Sequence, residues 1–154
     1  MTTQLYRKIP YLLIIILLSL TACTSDTPER IYQQNSNYSY EETLINLNIA
    51  ITEHNYRIIH RSNIGQAVRD RGDKDYPLST VISFCNITYA KEMMDINSNL
   101  INDMPCIVTV REDTDNTVIV GTKLMTDNTN NDRENDFAKR INHNLKSIVA
   151  ATIE

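Results

Sequence analysis

Ile9 to Leu20 is an almost wholly apolar run close to the start of the chain, and nothing like it recurs in the sequence. It holds roughly a dozen residues, short of the ~20 that a membrane-crossing helix needs. Arg7 and Lys8 stand just before it, and Pro10 lies near its beginning. A short basic segment followed by a brief apolar one is the pattern of a secretory signal peptide, expected here over residues 1–22. About 115 residues follow the N-terminal region, enough for one hydrophobic core and too few for two. The chain is therefore expected to fold as a single small domain behind a leader.

The apolar run ends in Leu20-Thr21-Ala22-Cys23. This resembles the bacterial lipobox, in which a small residue precedes a cysteine that takes a diacylglyceryl group. Cleavage is expected between Ala22 and Cys23, with Cys23 carrying palmitate-type acyl chains. Two or three such chains exceed the two signals that stable membrane anchoring requires. The competing reading, an uncleaved anchor with Cys23 at its end by chance, is disfavoured by the shortness of the run. Thr24 follows the cysteine. In proteobacterial sorting an Asp at that position favours inner-membrane retention, so Thr24 implies delivery to the outer membrane. The expected address is the cell envelope, facing the periplasm.

Charge narrows the partners. The whole chain has 15 Lys+Arg against 19 Asp+Glu, and loss of residues 1–22 removes Arg7 and Lys8, leaving a net charge of −6. Nucleic acid is not an expected partner, because its binding needs a basic face that displaces counterions. Adsorption to anionic lipid through charge is equally disfavoured.

Thr24 to about Asn37 is polar with one Pro and reads as a tether; Arg30-Ile31-Tyr32-Gln33 within it is alternatively a first strand. The domain proper is expected over 38–154. Ser39-x-x-Glu42 is a capping-box pattern, and Tyr40, Leu44, Leu47 and Ile51 follow at helical spacing, with Asn55 suited to the helix end. Tyr56 to Ser62 alternates as a strand, and Asn63 is placed to cap a short helix ending at Gly72. Leu78 to Cys85 has the strongest strand character in the chain, and Asn86 can cap a helix running to about Ile96 with Ala90, Met93 and Met94 inward. Ile107 to Arg111 and Thr117 to Met125 read as a hairpin. A last helix starts near Asn131-x-x-Glu134 and lines Phe137, Ile141, Leu145, Ile148 and Thr152 along one side. The sum is an α+β domain, a mostly antiparallel sheet with helices packed on one face.

Asn63-Ile64-Gly65, Arg71-Gly72, Phe84-Cys85-Asn86, Ala90 and Met104-Pro105-Cys106-Ile107-Val108 occur in an order similar to that of the domain-of-unknown-function 302 family of bacteria and archaea. The resemblance covers about residues 38 to 125. It implies a fold like that of the TATA-binding protein, β-α-β(4)-α with short inserted helices, sometimes dimeric, and no agreed activity. It departs from the family pattern at Ile87, where relatives often have Pro, and at Val108, where they often have Arg. Among the motif residues, Arg71, Gly72, Asn86 and Pro105 are taken as a candidate ligand pocket. The fold likeness does not import DNA binding, since function belongs to a site.

With Cys23 acylated, Cys85 and Cys106 remain. An even number of cysteines in an oxidising compartment invites a disulfide, whose loop of about 22 residues contributes roughly 3 kcal/mol in the chain-entropy model. Such a bond requires the two strands to be antiparallel neighbours. The alternatives are two buried free thiols, or a redox pair with Cys85 at a helix start and Cys106 as the resolving thiol. A metal site is not expected, because His54, His60 and His143 show no ligand spacing.

The remaining motifs have bland readings. Arg71-Gly72-Asp73 is a turn rather than an adhesion tripeptide. Arg57, Arg61, Arg69 and Arg71 are interleaved with Asp70, Asp73 and Asp75, a mixed-charge surface. Ser79 and Ser83 lack a nucleophile elbow, no glycine-rich phosphate loop exists, and no cofactor is expected. The reading that follows is a non-enzymatic, membrane-anchored module that binds a small ligand or an envelope protein. The alternatives are a thiol-redox protein using Cys85 and Cys106, and a structural envelope homodimer.

Overall fold

A computed structural model describes residues 30–154. The expected signal peptide, the Ala22–Cys23 cleavage site, the lipidation site Cys23 and the first part of the tether lie outside the described residues.

The first strand, β1 (Ile31–Asn35), lies inside the stretch read as tether. It pairs antiparallel with the last strand, Ile31 opposite Lys123 and Asn35 opposite Ile119. The domain thus begins before residue 38, and the strand reading of the Arg30 segment is the one the fold adopts. Tyr32 packs against the core, which gives this short polar segment an apolar reason to join the sheet.

Helix α1 (Tyr40–Glu53) starts on the expected capping box: the Glu42 amide donates to Ser39 Oγ at 3.3 Å, and the Ser39 amide donates to Glu42 Oε2 at 3.1 Å. Tyr40, Leu47 and Ile51 are buried. The helix ends where Asn55 takes a positive φ of 60°, a conformation Asn tolerates better than most residues. Strand β2 (Arg57–Asn63) leads into α2 (Ile64–Asp70). Asn63 does not cap α2; its Oδ1 accepts from Thr80 Oγ1 at 3.0 Å, joining β2 to its neighbour. Gly65 is required by space: a Cβ there would stand 2.4 Å from the Pro77 carbonyl oxygen and 2.5 Å from the Ser79 nitrogen.

Strand β3 (Ser79–Cys85) is followed by α3 (Ile87–Ile96), a 3-10 helix over Ser98–Asp103, the hairpin β4 (Cys106–Glu112) and β5 (Val118–Lys123), and α4 (Asp132–Ile153). The five strands of the described residues form one antiparallel sheet in the order β1-β5-β4-β3-β2. This is the expected β-α-β(4)-α arrangement with short helices inserted. Thr80, Ile82 and Phe84 of β3 are buried, while Ser79, Val81, Ser83 and Cys85 alternate toward the other face, the period of two that a sheet covered on one side requires. Leu47 and Ile51 from α1, Met93 from α3, and Phe137, Ile141, Leu145 and Ile148 from α4 close over Ile82, Phe84, Val108, Val110 and Val120. Among the described residues, no helix is long and apolar enough to cross a membrane.

Candidate functional site

Cys85 closes β3 and Cys106 opens β4, and these strands are antiparallel neighbours. The cysteines therefore share one end of the sheet, as a disulfide would require. They are nevertheless free thiols. The register explains this: Cys106 stands opposite Phe84, not Cys85. Directly paired residues face the same side and successive ones alternate. Cys106 thus shares the core face with Phe84, whereas Cys85 leaves the strand toward the opposite side, an orientation unsuited to a sulfur–sulfur bond. The expected disulfide is corrected accordingly.

Burial dominates the chemistry of both thiols. It pushes Cys106 up to about 11, with Cys85 nearby adding to the effect. Cys85 is also raised by burial. The expected stabilisation of a Cys85 thiolate by the helix start does not outweigh this loss of water.

Tyr56 stands beside them at the turn between α1 and β2. Its ring meets Phe84 edge-on, with centroids 5.3 Å apart, and lies 5.9 Å from the Tyr89 ring. Burial raises its hydroxyl to about 12, opposed by a long hydrogen bond from Asn144 Nδ2 at 3.4 Å.

Three hollows meet here. A small cavity of ≈ 30 Å³ lies between the sheet end, α3 and α4, with Cys85, Met93, Met104, Cys106 and Met125 in its walls. A wider groove of ≈ 680 Å³ lies outside it and shares Tyr56, Cys85 and Asn86 with the cavity. Ile59 and Ile87 flank that groove at 60% and 82% exposure. A third hollow of ≈ 250 Å³ runs along Pro105 and shares Met104, Cys106 and Met125 with the cavity.

The surrounding loops are held by polar contacts. Asn86 Oδ1 accepts from the Thr88 and Tyr89 amides, and its Nδ2 donates to the Asn55 carbonyl at 2.8 Å. Its amide is therefore committed to capping α3 and to tying α3 to the end of α1. Buried Asn142 accepts from the Met125 amide at 2.8 Å and donates to the Met125 carbonyl at 2.9 Å, fixing the segment behind β5. Arg30 pairs with Asp103 at 2.9 Å and donates to the Leu124 carbonyl, which ties the 3-10 helix to β1. The Met104–Pro105 peptide is cis.

The four motif residues taken as one ligand pocket are not brought together. Asn86 and Pro105 lie at the Cys85–Cys106 end. Arg71 and Gly72 follow α2 and precede Ser79, at the other end of β3. Seven residues of β3 separate the two ends, about 20 Å of extended chain. Gly72 has a φ of +118° and serves the turn. The four basic residues are likewise dispersed: Arg69 pairs with Glu112 at 3.5 Å, Arg61 donates to Asn48, and Arg57 borders the outer groove. Tyr56, Met104, Met125 and Asn142 escaped the sequence reading. Met104 alone carried a signal, its place directly before Pro105 and Cys106 in the motif.

The profile of the family described as "Domain of unknown function DUF302" matches residues 32–152. The chain belongs to this family. The DUF302 match runs from β1 into the last turn of α4, well beyond the motif region read from the sequence. Among solved structures, "Crystal structure of uncharacterized conserved protein DUF302 from Bacillus stearothermophilus" aligns with a TM-score of 0.72 at 14% identity, covering 80% of this chain and 98% of that chain. At that identity the likeness shows a shared DUF302 fold. No curated protein matches the chain.

Proposed function

We propose that this DUF302 protein is a periplasm-facing lipoprotein, anchored through Cys23, and that it works as a non-enzymatic module binding a small ligand or an envelope partner. The binding end is the one where β3 and β4 meet α3. The observation that carries this reading is the concave, largely apolar surface there: an open groove beside a small cavity, with Ile87 left 82% exposed next to it. A concave, mostly apolar surface with a few polar groups at its edge is the default place for a binding site. The leader and the Leu20-Thr21-Ala22-Cys23 motif support the address.

Two measurements test it. Labelled palmitate is expected to enter the wild-type protein and not Cys23→Ser. The full chain is expected to melt at a higher temperature in the presence of an envelope extract, since a ligand that binds only the folded state stabilises it by mass action. Substrate turnover that depends on Cys85 or Cys106 overturns the non-enzymatic reading.

The placement of both free thiols in the walls of one cavity favours a second reading, an oxidant-responsive pair. Their raised pKa values weigh against it, because the thiolate is the reactive form. Alkylation of the folded protein with and without reductant separates the two readings. Identical slow labelling in both conditions ends the redox version.

A further inference from the structure

The chain enters the described fold at the end of the sheet that carries the groove. The Leu124 amide donates to the Arg30 carbonyl at 2.7 Å, and Ile31 stands opposite Lys123. Phe84 stands opposite Cys106, and Arg57 opposite Cys85. The first residues of β1, β2 and β4 and the last of β3 and β5 therefore share one end. Asp103 ties the 3-10 helix to Arg30 at that end, and α3 begins there at Ile87. Strands of seven residues put the opposite end about 20 Å away.

The two ends differ in what they expose. Ile31, Ile59, Ile87 and Ile101 belong to the entry end, and each is more than half exposed. They come from β1, β2, α3 and the 3-10 helix, so no amphipathic period of one element accounts for them. Arg57 and Lys123 are exposed at the same end, and neither is in an ion pair among the described residues. The far end carries the β4–β5 turn with Asp113 and Asp115, and the loop with Asp73, Lys74 and Asp75, all exposed. Exposed isoleucines scattered singly are ordinary, whereas apolar side chains gathered on one end mark a protein or membrane contact.

The length of the preceding chain decides between these. Cys23 stands seven residues before Arg30, so the stretch between them spans at most ~25 Å. With Cys23 acylated, Arg30 is never further than that from the lipid, and the far end of the sheet lies beyond it. We infer that the entry end docks on the bilayer that holds the acyl chains, with Ile87 and Ile101 inserted at the headgroup level. Arg57 and Lys123 then reach phosphate groups, as long basic side chains do at that depth. The inference rests on the anchored binding reading above and names the partner of the groove end as the lipid surface itself. Apolar insertion suits a mature chain of net charge −6, which anionic lipid does not attract. The tether also makes a weak contact sufficient, because a linked second contact forms at an effective concentration on the order of millimolar.

The test exploits the absence of Trp from the chain, which makes one introduced Trp the sole reporter of its own surroundings. The acylated full chain is placed in zwitterionic vesicles of phosphatidylcholine and phosphatidylethanolamine, with either ordinary or brominated acyl chains. Ile87→Trp is expected to emit at shorter wavelength than a water-exposed indole and to lose most of its emission to the brominated lipid. Ile101→Trp is a second reporter with the same expectation, should the first variant fold poorly. Tyr76→Trp, at the far end, is expected to keep its emission. The docking is overturned if Ile87→Trp and Ile101→Trp both stay unquenched, or if Tyr76→Trp is quenched to the same extent. Palmitate entering Cys23 while both reporters remain in water refutes the docking alone and leaves the groove to another ligand. Palmitate failing to enter Cys23 removes the anchored reading, and the docking with it.

Discussion

At the scale of single residues, the most constrained positions are those where backbone or water has no room. Gly65 lies against the backbone of Pro77 to Ser79, so Gly65→Ala forces main chain apart. Overpacking of this kind costs ~1–3 kcal/mol, and a lowered urea midpoint is expected. Tyr56 offers a pH signature. Its folded-state pKa of about 12 lies above the ordinary 10.0, so folding favours the protonated phenol. That contribution is fully present below ~10 and is lost as pH rises toward ~12. Wild type is therefore expected to lose stability over that interval, read as a falling urea midpoint, and Tyr56→Phe to lose less across it. Neither position was equally legible. Gly65 stood in a recognisable Asn-Ile-Gly motif, although its purpose, a contact with a loop twelve residues away, was invisible. Tyr56 read as an ordinary strand residue, because one-dimensional alternation cannot show that the chain has turned and placed a ring against Phe84.

At the scale of elements, local signals were strong where a cap and a periodic face coincide. Ser39 with Glu42, Asn86 before α3 and Asn131 before α4 each begin a helix as their side chains imply. Ser39→Ala removes the hydroxyl half of the capping box and is expected to cost ~0.5–2 kcal/mol, read as a drop in melting temperature. Glu42 adds a pH dependence. Its carboxyl lies below the usual range because Ser39 hydrogen-bonds it, so its contribution holds above the unfolded pKa and fades as pH falls through the folded one. Asn63 shows the limit of the same logic. The residue type suits a cap, yet the neighbouring Thr80 hydroxyl engages its side chain, and a tertiary partner of that kind leaves no mark in the adjacent sequence. The disulfide fails for a similar reason. The sequence pattern supported antiparallel neighbours but carried no information on a one-residue stagger, and one residue changes the face of every side chain.

At the scale of the whole molecule, the fold class followed from the alternation of apolar periods, while strand order had to come from the three-dimensional arrangement. The most distant pairing, β1 with β5, joins residues more than ninety positions apart in sequence, Ile31 to Lys123. That distance is why β1 merged with the polar tether in the sequence: a five-residue edge strand in which Tyr32 alone is half-buried has little pattern of its own. Deleting residues 30–35 strips β5 of this partner and leaves the backbone of Val118 to Lys123 unpaired along an edge. Such a variant is expected to aggregate, measurable by light scattering of freshly refolded protein. The same pairing also dictates timing. The first strand to emerge during synthesis must wait for the last one, so the barrel-less sheet cannot zip shut until nearly the entire polypeptide is present, and a long loop-closure search precedes completion. A chain cut short before Val118 would leave its opening strand with no place in the sheet at all.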